Sequence, residues 1–169
     1  MDLSDLFRSD KIRAAFSLRS FNNKNLGDRG RLSTLVGLDS NHVVKPKQVH
    51  SAEIKFVDIP GEIQATDALI SKSNSVVLSI QVADCIPLFL ADPINGIIGL
   101  VQAGWRGVEK RSIPDKVNKM VRKGGSRDGI IAFMGPSIRQ CCFEIGPDVS
   151  KKFPIDCLIN GNGDRSFLD

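Results

Sequence analysis

Apolar residues in this chain recur mostly with the spacing of strands. Ile12, Ala14, Phe16 and Leu18 fall at every second position, the pattern of a strand with one buried face. Before them, Leu3, Leu6 and Phe7 suit a short helix. The stretch from Ser20 to Asn41 is rich in Asn, Gly, Asp and Arg and reads as mostly loop. Ala52 to Ile59 predicts a strand ended by Pro60-Gly61, and Asp67 to Ser71 predicts another. Ser75 to Asp84 is nearly apolar and rich in Val and Ile, as expected of a central strand covered on both faces. Pro87 to Asp92 and Ile97 to Gln102 flank the turn sequence Asp92-Pro93-Ile94-Asn95-Gly96, so the two runs predict a hairpin.

The clearest helical pattern comes next. Ile113, Val117, Met120 and Val121 share one helical face, with Ser112 suited to the N-cap and Gly124-Gly125 to the stop. Asp115 near its start and Lys119, Arg122 and Lys123 near its end complement the helix dipole. Gly129 to Met134 reads as a further strand and Pro147 to Phe153 as a short helix. Strands in succession with few helices predict an α+β fold.

Composition narrows the classes. A length of 169 residues at 41% hydrophobic content suits one domain with a sizeable core, and no repeat or linker divides it. The net charge of +4 is modest, Lys and Arg are scattered, and there is no Tyr, so nothing points to nucleic acid. Met1 to Asp5 is acidic with no apolar run behind it, and no run approaches the ~18 residues of a membrane span. Four cysteines at this size do not make a disulfide framework, so a reducing cytoplasm is expected. Cys141 and Cys142 would point to opposite faces of an extended segment.

The candidate chemistry starts from His50 and Cys85, each at the end of a predicted strand or in a loop, where a sheet presents side chains to a cleft. Thiolate and imidazole together suit zinc or copper. The same pair without metal would make a nucleophile and its base. The blander alternative is a buried Cys and a surface His. Arg106-Gly107, just before a helical region, would hold a phosphate or carboxylate, or only cap a turn. Trp105 would stack on a purine or sit in the core, and Asp84 is expected to be structural.

Several segments occur in a telling order between about Phe16 and Gly146. They are Lys47-Gln48-Val49-His50, Thr66-Asp67-Ala68-Leu69, Ala83-Asp84-Cys85-Ile86-Pro87, Val101-Gln102-Ala103-Gly104-Trp105-Arg106-Gly107, Gly135-Pro136-Ser137-Ile138 and Cys141-Cys142-Phe143-Glu144-Ile145-Gly146. Together they resemble the laccase-domain (polyphenol oxidoreductase) family, whose members are now commonly described as purine nucleoside phosphorylases with adenosine deaminase activity. The resemblance implies a single domain with a mixed β-sheet flanked by helices. It also implies phosphorolysis of adenosine or inosine, and deamination of adenosine at a metal-bound water. Purine nucleosides and phosphate are then the partners.

By the same resemblance, His50, Cys85 and the residue at 102 hold zinc, or copper, but the third ligand is Gln102 where the family has His. A neutral amide is a weak zinc donor. Losing even an outer partner of a metal site costs ~10–100-fold in affinity, so occupancy is expected to suffer unless His42 or Cys142 takes the place. The catalytic set implied is Cys85, His50, Asp67 and Arg106, with Asp67 orienting His50 or accepting from a substrate hydroxyl and Arg106 steadying phosphate. Gln48, Cys142 and Glu144 would wall the pocket. The sequence stops at Ser166-Phe167-Leu168-Asp169, before the family's C-terminal helix and strand. Such a stop would leave Ile155 to Ile159 as an apolar edge needing a partner, hence the expectation of a homo-oligomer. Two further readings stay open: a catalytically impaired nucleoside-binding relative, and a Cys–His hydrolase using Cys85. Polyphenol oxidation is the weakest reading, because one site with two good ligands poorly supports multi-electron oxygen chemistry.

Overall fold

The structure, a computed structural model, describes residues 1–18, 27–110 and 112–169. Its strands in chain order are β1 (Val43–Pro46), β2 (Ile54–Phe56), β3 (Gly61–Ile63), β4 (Ala68–Ser71), β5 (Val77–Leu78), β6 (Ile86–Asp92), β7 (Ile97–Ala103), β8 (Ile131–Met134), β9 (Glu144–Ile145), β10 (Leu158–Asn160) and β11 (Ser166–Leu168). The helices are α1 (Gly27–Leu35), α2 (Trp105–Glu109), α3 (Ser112–Arg122) and α4 (Pro147–Ser150). The architecture is α+β, with strands from one domain sorted into three sheets.

The predicted hairpin is the spine of the largest sheet. β6 and β7 pair antiparallel from Ile86 opposite Ala103 to Asp92 opposite Ile97, and Gly96 closes the turn at a φ of 63°, where a side chain would be strained. The sheet runs β2-β4-β7-β6-β8, mixed as expected, because β2 and β4 are parallel and the other pairs antiparallel. β3-β1-β5 forms a small parallel sheet and β10-β11-β9 a small antiparallel one.

Alternation along β4 and β7 divides the interior in two. Ala68, Ile70, Ile97, Val101 and Ala103 face the core that holds Met120 of α3. Leu69 points the other way and packs with Val44, Val57 and Val76 beneath the parallel sheet. Period two therefore puts Gln102 on the face of β7 turned away from α3. Gly99 lets α3 lie close, since a Cβ there would meet Met120 Sδ at 3.2 Å. Lys119 and Lys116 donate to the carbonyls of Ile54 and Ala52 at 2.9 and 3.4 Å. Burial holds the Lys116 amine below its ordinary pKa, against the pull of Asp115, Asp67 and Glu53.

Several expectations need correction. Ser75 to Asp84 is not a central strand: only Val77–Leu78 is paired, at a sheet edge and half-buried. Beyond it side chains replace the ladder, with Ser79 Oγ donating to Val44 O at 2.6 Å and Gln81 N–H to Gln48 Oε1 at 2.8 Å. Among the described residues, the run from Ile12 to Leu18 makes one bridge, Asp2 with Ala15, and is tied to the first residues through Leu3 N–H to Ala14 O and Phe16 N–H to Met1 O. Within Ser20 to Asn41, residues 19–26 lie outside the described residues, but Gly27–Leu35 is helix rather than loop. Poor helix formers are held there by local contacts. Ser33 Oγ and Thr34 Oγ1 donate to Gly30 O at 2.7 and 3.0 Å, and the bare Gly30 packs on Ser40. The N-cap expected at Ser112 borders residue 111, which lies outside the described residues.

Cys141 and Cys142 also depart from expectation. Cys142 and Phe143 N–H both donate to Arg139 O, so the segment is a turn, and the two sulfurs lie 3.4 Å apart on one side. Both thiols are exposed, and sharing a hydrogen bond with Cys141 pushes the Cys142 thiol pKa up.

Asp92 fastens the hairpin turn. Its buried carboxylate accepts from Ser126 N–H at 2.7 Å and from Asn95 N–H and Nδ2 at 3.0 and 2.8 Å. Burial alone would raise its pKa, but these donors outweigh that and hold it below the ordinary value. Asp92→Ala should cost about 2 kcal/mol in urea unfolding, since it leaves buried N–H groups unpaired. A depressed folded pKa gives stability that is complete above the unfolded value and lost as pH falls through the folded one. The difference between Asp92→Ala and the parent should therefore be constant near neutrality and shrink below about pH 4.

Candidate functional site

The site gathers where β7 ends, and a buried carboxylate shapes it. Asp67 is fully buried in front of β4, with its own carbonyl accepting from Gln102 N–H at 2.8 Å. Its side chain reaches the loop after β1. Oδ1 accepts from Val49 and His50 N–H at 3.2 and 3.0 Å, and Oδ2 from Ser51 N–H and Oγ at 2.6 and 2.8 Å. Turned to one anion, these donors give the loop a fixed shape. His50 takes a φ of 57° in it, and Ala65, just before Thr66-Asp67, takes 49°. Such left-handed residues cost roughly 1–2 kcal/mol each and persist where surrounding bonds enforce them. Asp67 thus orients His50 through its backbone.

Cys85 reaches His50 across Gly104. A Cβ on Gly104 would lie 3.0 Å from Cys85 Sγ and 3.7 Å from His50 Cδ2, so the two side chains converge on the space that this glycine leaves empty. Gly104 is also the N-cap of α2. Cys85 is half-buried and His50 exposed. Asp84 is exposed, and its backbone carbonyl accepts from Ile138 N–H at 3.0 Å.

His50 opens on a cavity of about 450 Å³, with Gln102, Gln48 and Gln81 on its wall and Arg29, Lys45 and Lys47 around it. Gln48 donates through Nε2 to Gln102 Oε1 and to Gln81 O, and its Oε1 accepts from Gln81 N–H. Arg29, supplied by α1, is the residue that the sequence reading missed. Its guanidinium donates to Ser79 Oγ at 3.2 Å and Gln81 Oε1 at 2.9 Å, both neutral, and its buried Nε has no hydrogen-bond partner among the described residues. Burial lowers its pKa, as for a cation partly stripped of water. The missing signal was the helix itself: with residues 27–35 read as loop, Arg29 had no fixed place.

Other expected residues lie elsewhere. Arg106 is exposed on α2, with its guanidinium 4.3 Å from the centre of the Trp105 ring, and is not part of the cavity wall. Lys152 stands 5.2 Å from the same ring, so Trp105 already carries two cations. Glu144 pairs with Arg165 at 3.2 Å, and exposed Cys142 is beside Cys141 rather than on the cavity wall. His42 stands 3.9 Å from Asp39 and does not line the cavity either. Among the described residues, no three His, Cys, Asp or Glu side chains converge as a metal cage requires. His50 and Cys85 supply two donors, while the Gln102 oxygen is already taken by Gln48. The set does not fit zinc.

Residues 22–159 match the family model described as multi-copper polyphenol oxidoreductase laccase. An adenosine deaminase from an unknown prokaryotic organism is 35% identical over 76% of this chain and 53% of its own length. A purine nucleoside phosphorylase of Deinococcus radiodurans is 36% identical over 75% of this chain and 49% of its own length. The chain thus spans about half the length of these curated relatives. Among solved structures, the hypothetical protein YfiH of Bacillus licheniformis superposes with a TM-score of 0.75 at 23% identity, over 84% of this chain and 60% of that one. YlmD from Geobacillus stearothermophilus gives 0.72 at 25% identity, over 84% of this chain and 59% of its own. On the family match and these identities together, the chain belongs to the laccase-domain, or polyphenol oxidoreductase, family.

Proposed function

We propose that this chain binds a purine nucleoside and inorganic phosphate at the His50 cavity and carries out phosphorolysis. The observation that supports this best is the set of three cations, Arg29, Lys45 and Lys47, beside an imidazole held in a strained loop. Among the described residues, the Arg29 guanidinium bonds to neutral oxygens, which favours an anionic ligand. A phosphate oxygen would bond to ribose C1′ as the bond from C1′ to the purine nitrogen breaks. The electron pair leaves with the base, and His50 supplies the proton that neutralises it. Asp67 keeps His50 in place, and Cys85 shares its niche. The anion-holding role first expected of Arg106 passes to Arg29. No metal-dependent deamination is derived for this chain, because its donor set does not fit zinc.

The meeting of Cys85 and His50 at Gly104 supports a second reading, a hydrolase with Cys85 as nucleophile. As for setting, no helix among the described residues is long and apolar enough to cross a membrane. Free thiols at Cys85, Cys141, Cys142 and Cys157 suit the reducing cytoplasm proposed. Exposed Ile155 and Ile159 by the edge strand β10 support the proposed self-association.

Chromatography of products after incubation with adenosine tests the main reading: adenine should appear only when phosphate is added. Inosine would show deamination instead. Unchanged adenosine would leave a binding protein, and an activity abolished by thiol alkylation without need of phosphate would favour the hydrolase. Arg29→Ala should raise the phosphate concentration for half-maximal rate ~10–100-fold, the worth of one or two charged hydrogen bonds, while Arg106→Ala changes it less than about twofold. Asp67→Ala should lower the unfolding free energy by about 3 kcal/mol and reduce turnover by more than tenfold, measured by urea titration and initial rates.

A further inference from the structure

Direction in the Gln48 amide is set by the backbone. Gln81 N–H can only donate and Gln81 C=O can only accept, and they meet opposite ends of the Gln48 side chain, each at 2.8 Å. This fixes which end of that amide is nitrogen. The remaining N–H of Gln48 reaches Gln102, which must answer with its oxygen. A turned Gln102 would set two NH₂ groups face to face. Gln102 has no freedom to leave, being only 7% exposed at the end of β7 with its N–H bonded to Asp67 O. Its oxygen is thus turned to Gln48, and its Nε2 is the donor that it offers to the cavity it lines.

The surrounding charge agrees. Arg29, Lys45 and Lys47 border the cavity against one carboxylate, Glu62. A cation placed by Gln102 would face NH₂ groups and like charge, whereas an oxyanion would find donors. We infer that the third corner of this site is a fixed hydrogen-bond donor, Gln102 Nε2 aimed by Gln48, which binds a phosphate oxygen and leaves the site without a metal. The metal half stands on the amide geometry alone. The phosphate half rests on the proposed reading of the cavity.

Two titrations of the full chain by calorimetry, one with zinc and one with inorganic phosphate, test the halves separately. Gln102→His should bind zinc at least ~10–100-fold more tightly than the parent. A parent that binds one zinc per chain as tightly as this variant, or a variant that gains nothing, overturns the metal half. For phosphate, Gln102→Glu keeps an acceptor for Gln48 but loses the donor and adds charge, and should bind more than tenfold more weakly. Gln102→Leu, which loses the donor without adding charge, should fall about fivefold or more. Undiminished affinity in both variants overturns the donor role. A parent that binds no phosphate at all sinks the proposed reading and the phosphate half together, while the zinc comparison still decides the metal half.

Discussion

The Asp67 carboxylate is the constraint on which the site depends. It is completely buried, yet the loop from Val49 to Ser51 meets it with backbone N–H groups and a hydroxyl. A buried charge so paired is tolerable, whereas the same charge without its loop would be very costly. Loop and carboxylate therefore fold together or not at all. The left-handed backbone at His50 is the visible result. Because Asp67 also accepts from Gln102 through its own carbonyl, one residue sets the positions of two that face the cavity.

Four parts of the site each arrive for a different reason. The end of β7 is delivered by the longest ladder in the fold. The His50 loop follows from Asp67. Cys85 comes close because Gly104 lacks a side chain. Arg29 arrives on a helix whose own residues favour it little and whose contacts hold it.

Much of this was legible in the residues. Asp92-Pro93-Ile94-Asn95-Gly96 between two apolar runs specifies its hairpin locally, and the face shared by Ile113, Val117 and Met120 specifies α3. The ordered motifs around His50, Asp67, Cys85 and Gln102 marked residues that the fold brings close together. What failed has a shared cause. Apolar content alone did not show that the segment after Leu78 would be tied by the Ser79 hydroxyl to Val44 O and by Gln81 N–H to the Gln48 side chain, in place of a neighbouring strand. Helix propensity did not show that Gly30 would pack on Ser40. The relay from Gln81 through Gln48 to Gln102 joins residues 21 to 54 positions apart along the chain and has no local signature.

The lysines of α3 have a consequence at the sheet's border. β2 is an outer strand, and the carbonyls of Ala52 and Ile54 are groups that another strand would need in order to add there. Lys116 and Lys119 occupy them from the side, with the stem of Lys116 sunk in the interior. An incoming strand would have to displace bonded ammonium groups. Outer strands are where edge-to-edge aggregation begins, and charged side chains are a usual guard against it. The helix that packs the core therefore also guards this border of the sheet.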